Sequence, residues 1–242
     1  MSQLPEVREA DASPEIAAIY GDIKATAALP QINLIFRYFA THEGMLEWIW
    51  QALRPLYQSN ELARAGSGLV ESLERRGVSP LPGALTGDDL AACSVVIDAY
   101  NRANPQNLIA LIALVHALER AGPGEAGRVR LTPRKAEAAT IAFPQLPRRD
   151  ALSADAQARV ARMTARHSGA PGAVPSMYLH LALWPAALET VDAYLQPIIE
   201  SPDWAPRVAG IIAQADKVAV ELAPAIELSP AAPNAAALAE VK

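Results

Sequence analysis

The tightest constraint on this chain is that one stretch of it reads as a copy of another. FATHEGMLEWIWQALRPLYQS, from Phe39, aligns without a gap on LALWPAALETVDAYLQPIIES, from Leu181, 142 positions later. Ala40 meets Ala182, Leu46 meets Leu188, Glu47 meets Glu189, Leu53 meets Leu195, Pro55 meets Pro197 and Ser59 meets Ser201. Upstream, Leu29-Pro30 and Val174-Pro175 correspond after a three-residue gap. Self-similarity at a long fixed offset predicts one module used twice. The expected fold is all-α, a pseudo-twofold duplicated helical bundle whose equivalent hairpins face a central pocket.

Local signals divide the chain further. Ser13-Pro14-Glu15 supplies a capping hydroxyl, a proline for the first helical position and an acid for the positive helix end, so a helix is predicted over Pro14 to Ala27. QINLIFRYFATHEGMLEWIWQALRPLY is too continuously apolar for an alternating strand and reads as two helices parted near His42 to Gly44. Further helices are predicted over Ala63–Arg75, Gly87–Arg102, Ser153–His167, Pro175–Leu183, Pro185–Glu200 and Ala205–Ala223. Asn104-Pro105 reads as the cap of a separate, buried helix through PQNLIALIALVHALERAG. The organisation expected is a lead-in (1–28), a first repeat (29–121), a connection (122–152), a second, truncated repeat (153–228) and a disordered tail (229–242). Within the connection, a helical turn is predicted near Lys135–Ile141, and GRVRLT is the one place for a short strand.

Composition removes several classes of function. No run of 18 apolar residues exists, so no membrane span is expected. The acidic, proline-broken start lacks a secretory signal and suggests a cytoplasmic protein. Net charge is −5 with scattered arginines, unlike a nucleic-acid binder. Cys93 is the single cysteine and lies in LAACSVVID, the pattern of a buried helix face, which excludes an intramolecular disulfide and points to packing. His42 with Glu43, His116 with Glu119, and His167 make no convincing metal set, and no HExxH, GxSxG, GxGxxG or phosphate loop is present.

The series SPEIAAIYGDI, LPQINLIFRYFA, LEWIWQALRPLY, AYNRANPQNLIAL and VPSMYLHLALWPAALE resembles the DehI-type 2-haloacid dehalogenases over roughly residues 5 to 200. That resemblance implies an all-helical, internally repeated scaffold with no metal and no organic cofactor. It also implies hydrolytic dehalogenation of short 2-haloalkanoic acids: an aspartate activates water, which attacks C2 with inversion, and an asparagine holds the water. The asparagine maps onto ANPQNL, at Asn104 first and Asn107 second, although Asn104 before Pro105 reads more readily as a helix cap. Asp98 and Asn101 precede them on a related face, with Asp98 expected in solvent.

The aspartate maps just after Pro175-Ser176, where this chain has Met177, a thioether that accepts no proton at neutral pH. His180, one turn on, is an alternative base or else a core histidine with a local partner. Ser176 and Tyr178 fall at the same candidate site. Asn33 and Arg37, four residues apart in an apolar segment, are candidate substrate-binding groups. Arg37 could clamp a carboxylate or pair with Glu43, Glu47 or an acid elsewhere. Trp48, Trp50 and Trp184 are pocket-lining or core. The expected ligand is a small carboxylic acid; whether the chain forms a homodimer is open. Two readings stand: a DehI-like hydrolase, or a relative that has lost or changed the chemistry and binds a small hydrophobic carboxylate.

Overall fold

The computed structural model describes residues 4–73, 85–120, 129–134, 143–166, 173–229 and 233. Among these the regular structure is helical, with one isolated antiparallel bridge between Ser59 and Pro133. The all-α expectation holds. No helix among the described residues is long and apolar enough to cross a membrane. The tail beyond Ser229, apart from Pro233, the predicted turn at Lys135–Ile141 and His167 lie outside the described residues.

The helices in order are α1 (Pro14–Ala27), α2 (Leu34–Phe39), α3 (Met45–Tyr57), α4 (Asn60–Ser72), α5 (Gly87–Glu119), α6 (Ala154–Arg166), α7 (Ser176–Leu181), α8 (Pro185–Ile199) and α9 (Trp204–Leu222). The sequence signals place most of them within a few residues. Ser13 caps α1 through a bond from the Ile16 amide, with Pro14 at the first position. Gly44, at φ +70°, turns the chain from α2 into α3, a conformation glycine adopts without a side-chain clash. α3 buries Met45, Ile49, Ala52, Leu53 and Leu56, a helical-spacing stripe that holds it in the core. Each fully buried aliphatic side chain there contributes about 1.5–3 kcal/mol.

One expectation is corrected. Asn104 does not cap a new helix; α5 runs unbroken from Gly87 to Glu119 with Pro105 inside it. A proline within a helix leaves the carbonyl four residues earlier without its donor. Here that residue is Asn101, which is exposed, so water can take the bond. The same arrangement recurs at Pro55 in α3, behind exposed Gln51, and at Pro197 in α8, behind exposed Ala193. Burial on both sides of Pro105, at Tyr100, Ala103, Ile109 and Ala110, outweighs the local stop signal.

The described residues form two compact units, neither contiguous in sequence. The first takes residues 5–73, 101–120, 129–134 and 210–229; the second takes 85–100, 143–166 and 173–209. Two of the crossings between the units fall inside α5 and inside α9. In the first unit α1 and α2 pack on α3, and its core holds Ile23, Ile32, Phe36, Ile49, Leu53 and Ile109. In the second, α6 and α7 pack on α8 around Val96, Val160, Met163, Leu181 and Leu188. Cys93 is buried in this second core, where burial pushes its thiol pKa up, as fits a packing role.

Candidate functional site

In the first unit, the polar residues of the INLIFRYFA segment are buried, Asn33 at 8% exposure and Arg37 at 3%. Arg37 is paired within the protein. Its Nε meets Glu6 Oε2 at 2.7 Å and its Nη1 donates to the Ile32 carbonyl at 2.7 Å. The Val7 amide donates to the Arg37 carbonyl and the Tyr20 hydroxyl to the Val7 carbonyl, so the lead-in is strapped over α1 and α2. The partner acid is therefore Glu6, not Glu43 or Glu47. Asn33 stands at the cap position of α2 but its side chain makes no capping bond, and its Oδ1 is buried with no hydrogen-bond partner. An unsatisfied buried acceptor is costly, which marks it as a group that a ligand or water could satisfy.

The two candidate asparagines of α5 differ in burial. Asn104 is exposed in mid-helix, whereas Asn107, one turn on, is buried. Asn107 Oδ1 accepts a 2.6 Å hydrogen bond from the Tyr57 hydroxyl. Tyr57 is fully buried, and burial alone raises its pKa far above the ordinary phenol value, so it remains a proton donor. Its ring lies 6.1 Å from Phe36 and 5.5 Å from Trp50. Phe36 in turn sits one turn beyond Asn33, whose carbonyl accepts the Phe36 amide at 3.1 Å. Trp50 donates to Asp22 at 2.7 Å and Trp48 to the Ser229 carbonyl, so both indoles are satisfied members of the core.

In the second unit, α7 carries Ser176, Tyr178 and His180, all buried, while Met177 is half-buried against the apolar core. His180 is fully enclosed. Its Nε2 lies 3.1 Å from the Pro144 carbonyl and its Nδ1 2.9 Å from the Tyr100 hydroxyl. A carbonyl can only accept, so Nε2 carries the proton and Nδ1 is free to accept from Tyr100. Phe143 and Tyr100 meet the ring edge-on. Both ring nitrogens thus have local partners. Trp184 donates to Asp89 at 3.1 Å, and Asp98 is exposed.

Asp192 is the one buried carboxylate among the described residues. Arg159 and Arg166, both from α6, converge on it, and they also reach Glu189 and Glu200. Tyr178 lies in the field of this group: burial, then the Asp192 charge, push its pKa up to about 12. One sign of this network is legible in the sequence. At the 142-residue offset Asp192 stands opposite Trp50, an acid where the aligned position has an indole. Tyr57 and Tyr100 carried no such signal, because their bonds join residues 50 and 80 positions apart. No cluster of metal-ligating side chains occurs among the described residues.

No sequence-family profile matches the chain. It is 24% identical over 200 residues to a configuration-inverting 2-haloacid dehalogenase of Pseudomonas sp. (strain 113), covering 78% of this chain and 65% of that protein. It is 26% identical over 217 residues to a protein of the same name from Alcaligenes xylosoxydans xylosoxydans, covering 83% and 71%. The chain thus spans just under two thirds of the first relative's length. A solved D-2-haloacid dehalogenase mutant in complex with D-2-CPA superposes with a TM-score of 0.79 at 22% identity, over 94% of this chain and 81% of that one. A D-2-haloacid dehalogenase with L-LA superposes at 0.73 and 21%, over 90% and 79%. The chain is a distant relative of the configuration-inverting, DehI-type 2-haloacid dehalogenases and shares their all-α fold.

Proposed function

We propose that this protein is a DehI-like 2-haloacid dehalogenase homologue that binds short 2-halo or related carboxylic acids but has lost aspartate-driven water attack. In the reaction that the resemblance implies, water forms a bond to C2, the carbon–halogen bond breaks with inversion, halide leaves, and the water's proton passes to a carboxylate. The observation that carries the reading is the state of the acids. By the resemblance Met177 stands where the aspartate maps, and the one buried carboxylate among the described residues, Asp192, is engaged in ion pairs with Arg159 and Arg166.

The ligand-binding half of the reading rests on Asn33 and Asn107, buried carboxamides of the first unit, the former with an unsatisfied oxygen. In the second unit, Ser176 and Tyr178 are further candidates by their place beside Met177. The reaction that the resemblance implies uses no metal or organic cofactor. The duplication is also proposed: α2 and α7 begin and end 142 residues apart, α3 and α8 end 142 residues apart, and each of the latter has a proline two residues before its end.

Halide release from both enantiomers of 2-chloropropionate tests this. The unmodified protein should release none above buffer, and Met177→Asp should gain measurable release. Release by the unmodified protein at an enzymatic rate sinks the proposed loss. A second reading then takes over, in which His180 is the base. The Pro144 carbonyl fixes its tautomer and leaves Nδ1 as the accepting atom once Tyr100 moves aside. His180→Gln would abolish release in that case.

A further inference from the structure

We infer that Tyr57 is a positioning residue: its hydroxyl turns the Asn107 carboxamide so that the amide N–H2, and not the carbonyl oxygen, is presented to the carboxylate of a bound small acid. The inference rests on the proposed binding of small carboxylates and assigns the polarity of one contact within it.

A carboxamide has an acceptor end and a donor end, exchanged by a half-turn about its last bond. Tyr57 decides between them. Its ring packs in a three-ring cluster with Phe36 at 6.1 Å and Trp50 at 5.5 Å, which restrains where the hydroxyl lies. Asn107 Oδ1 receives it at 2.6 Å, with both residues buried. Were the carboxamide reversed, Nδ2 could donate to the phenol oxygen, but the phenol proton would then lack an acceptor in an apolar core. The observed orientation satisfies that proton and turns Nδ2 away, and no described residue accepts from Nδ2. A nearly buried amide with its donor end open suits an anionic oxygen. Asn104, exposed in mid-helix, has none of this support.

The test is a titration of the full-length, 15N-labelled protein with each enantiomer of 2-chloropropionate and with propionate. Side-chain amide signals are assigned by their loss in Asn107→Leu. In the unmodified protein the Asn107 N–H2 pair should shift as ligand is added. Tyr57→Phe keeps the ring contacts and should weaken binding about tenfold, the effect of one mispositioned hydrogen bond. Asn107→Leu should weaken it at least as much, and adding Tyr57→Phe to Asn107→Leu should weaken it no further. Independent losses in the double variant, or unshifted Asn107 signals during saturable binding, overturn the inference and leave the carboxylate reading intact. Absence of any binding by the unmodified protein overturns both. If Tyr57→Phe fails to fold, Asn107→Asp decides: it keeps an acceptor for Tyr57 but lacks the N–H2 donor, so undiminished binding by that variant at neutral pH overturns the inference.

Discussion

The helix pair α1–α3 of the first unit and the pair α6–α8 of the second are each tied by ion pairs, with the charges reversed. In the first, the acid is Asp22 on α1, which accepts both Nε and Nη2 of Arg54 and the indole N–H of Trp50 from α3. In the second, the acid is Asp192 on α8, and the cations Arg159 and Arg166 come from α6. Exposure differs as well: the Asp22 side chain is 38% exposed and that of Asp192 7%. In both pairs the helix packing is therefore carried by apolar positions, and the polar chemistry laid over it differs in sign.

The sharpest way to break this contrast is to remove the buried acid. Asp192→Ala leaves Arg159 and Arg166 converging on an empty site, and should destabilise the protein by about 3 kcal/mol, the lower end for breaking a buried pair because both arginines are partly solvated. Urea unfolding checks this. A loss below about 1 kcal/mol would place the pair with surface ion pairs and remove the contrast.

Tyr57→Phe comes next, at about 1–2 kcal/mol, because it strands a buried carboxamide oxygen without altering ring packing. The double variant Tyr57→Phe with Asn107→Leu should be more stable than Tyr57→Phe alone, since no unsatisfied polar atom remains. Thermal unfolding of the three proteins orders them, and an equal melting point for the single and double variants would contradict the coupling.

These core polar groups also mark where the sequence could be read and where it could not. Helix positions followed from caps, prolines and apolar spacing, which are local, and α1 and α7 fall where those signals put them within two residues. Asn104-Pro105 misled because the same dipeptide that caps a helix is tolerated inside one when the orphaned carbonyl faces water and apolar residues bury both flanks. Asn104 and Asn107 are chemically alike, and their three-residue separation places them on adjacent faces, so only the packing of α3 against α5 singles out Asn107. Glu6 could not be found as the partner of Arg37, since it lies 31 residues earlier in a lead-in with no periodicity. Two of the crossings between the discontiguous units fall inside α5 and α9, where no linker or compositional break announces them.

The half-exposed pair of the first unit should matter less and should respond to pH. Hydrogen bonding from Arg54, then from Trp50, holds the Asp22 carboxyl down to about 2, below the ordinary carboxylate value. A depressed folded-state pKa stabilises the protein above the unfolded-state value, and the contribution is lost as pH falls through about 2. Asp22→Asn should therefore cost about 1 kcal/mol near pH 7, after allowance for solvent screening, and only a small part of that at pH 2. Denaturant unfolding at both pH values checks it; the same deficit at pH 2 as at pH 7 would assign the loss to packing.

The smallest effect concerns a clasp in the first unit. Glu61, at the start of α4, accepts the Thr132 amide at 2.9 Å and its hydroxyl at 2.6 Å. The Asn60 amide donates to the Thr132 carbonyl, and the Arg134 amide to the Gln58 carbonyl, closing the bridge at Ser59 and Pro133. At the 142-residue offset from Glu61 stands Asp203, whose side chain is largely exposed and reaches Arg207, one turn on in its own helix. The Thr132 hydroxyl, then its amide, hold the Glu61 carboxyl down to about 2. With the folded-state value depressed, the clasp is at full strength above the unfolded-state pKa and loosens as pH falls toward about 2. Hydrogen exchange at the Thr132 amide, corrected for intrinsic rates, should lose protection over that range and lose it at every pH in Glu61→Gln, while amides of α3 keep theirs. Because the clasp is local and solvated, global unfolding should hardly register the substitution. A matching loss of protection in α3 would mean that this connection is part of the first unit's cooperative core, and the polar divergence between the two proposed copies would then reach deeper than their ion pairs.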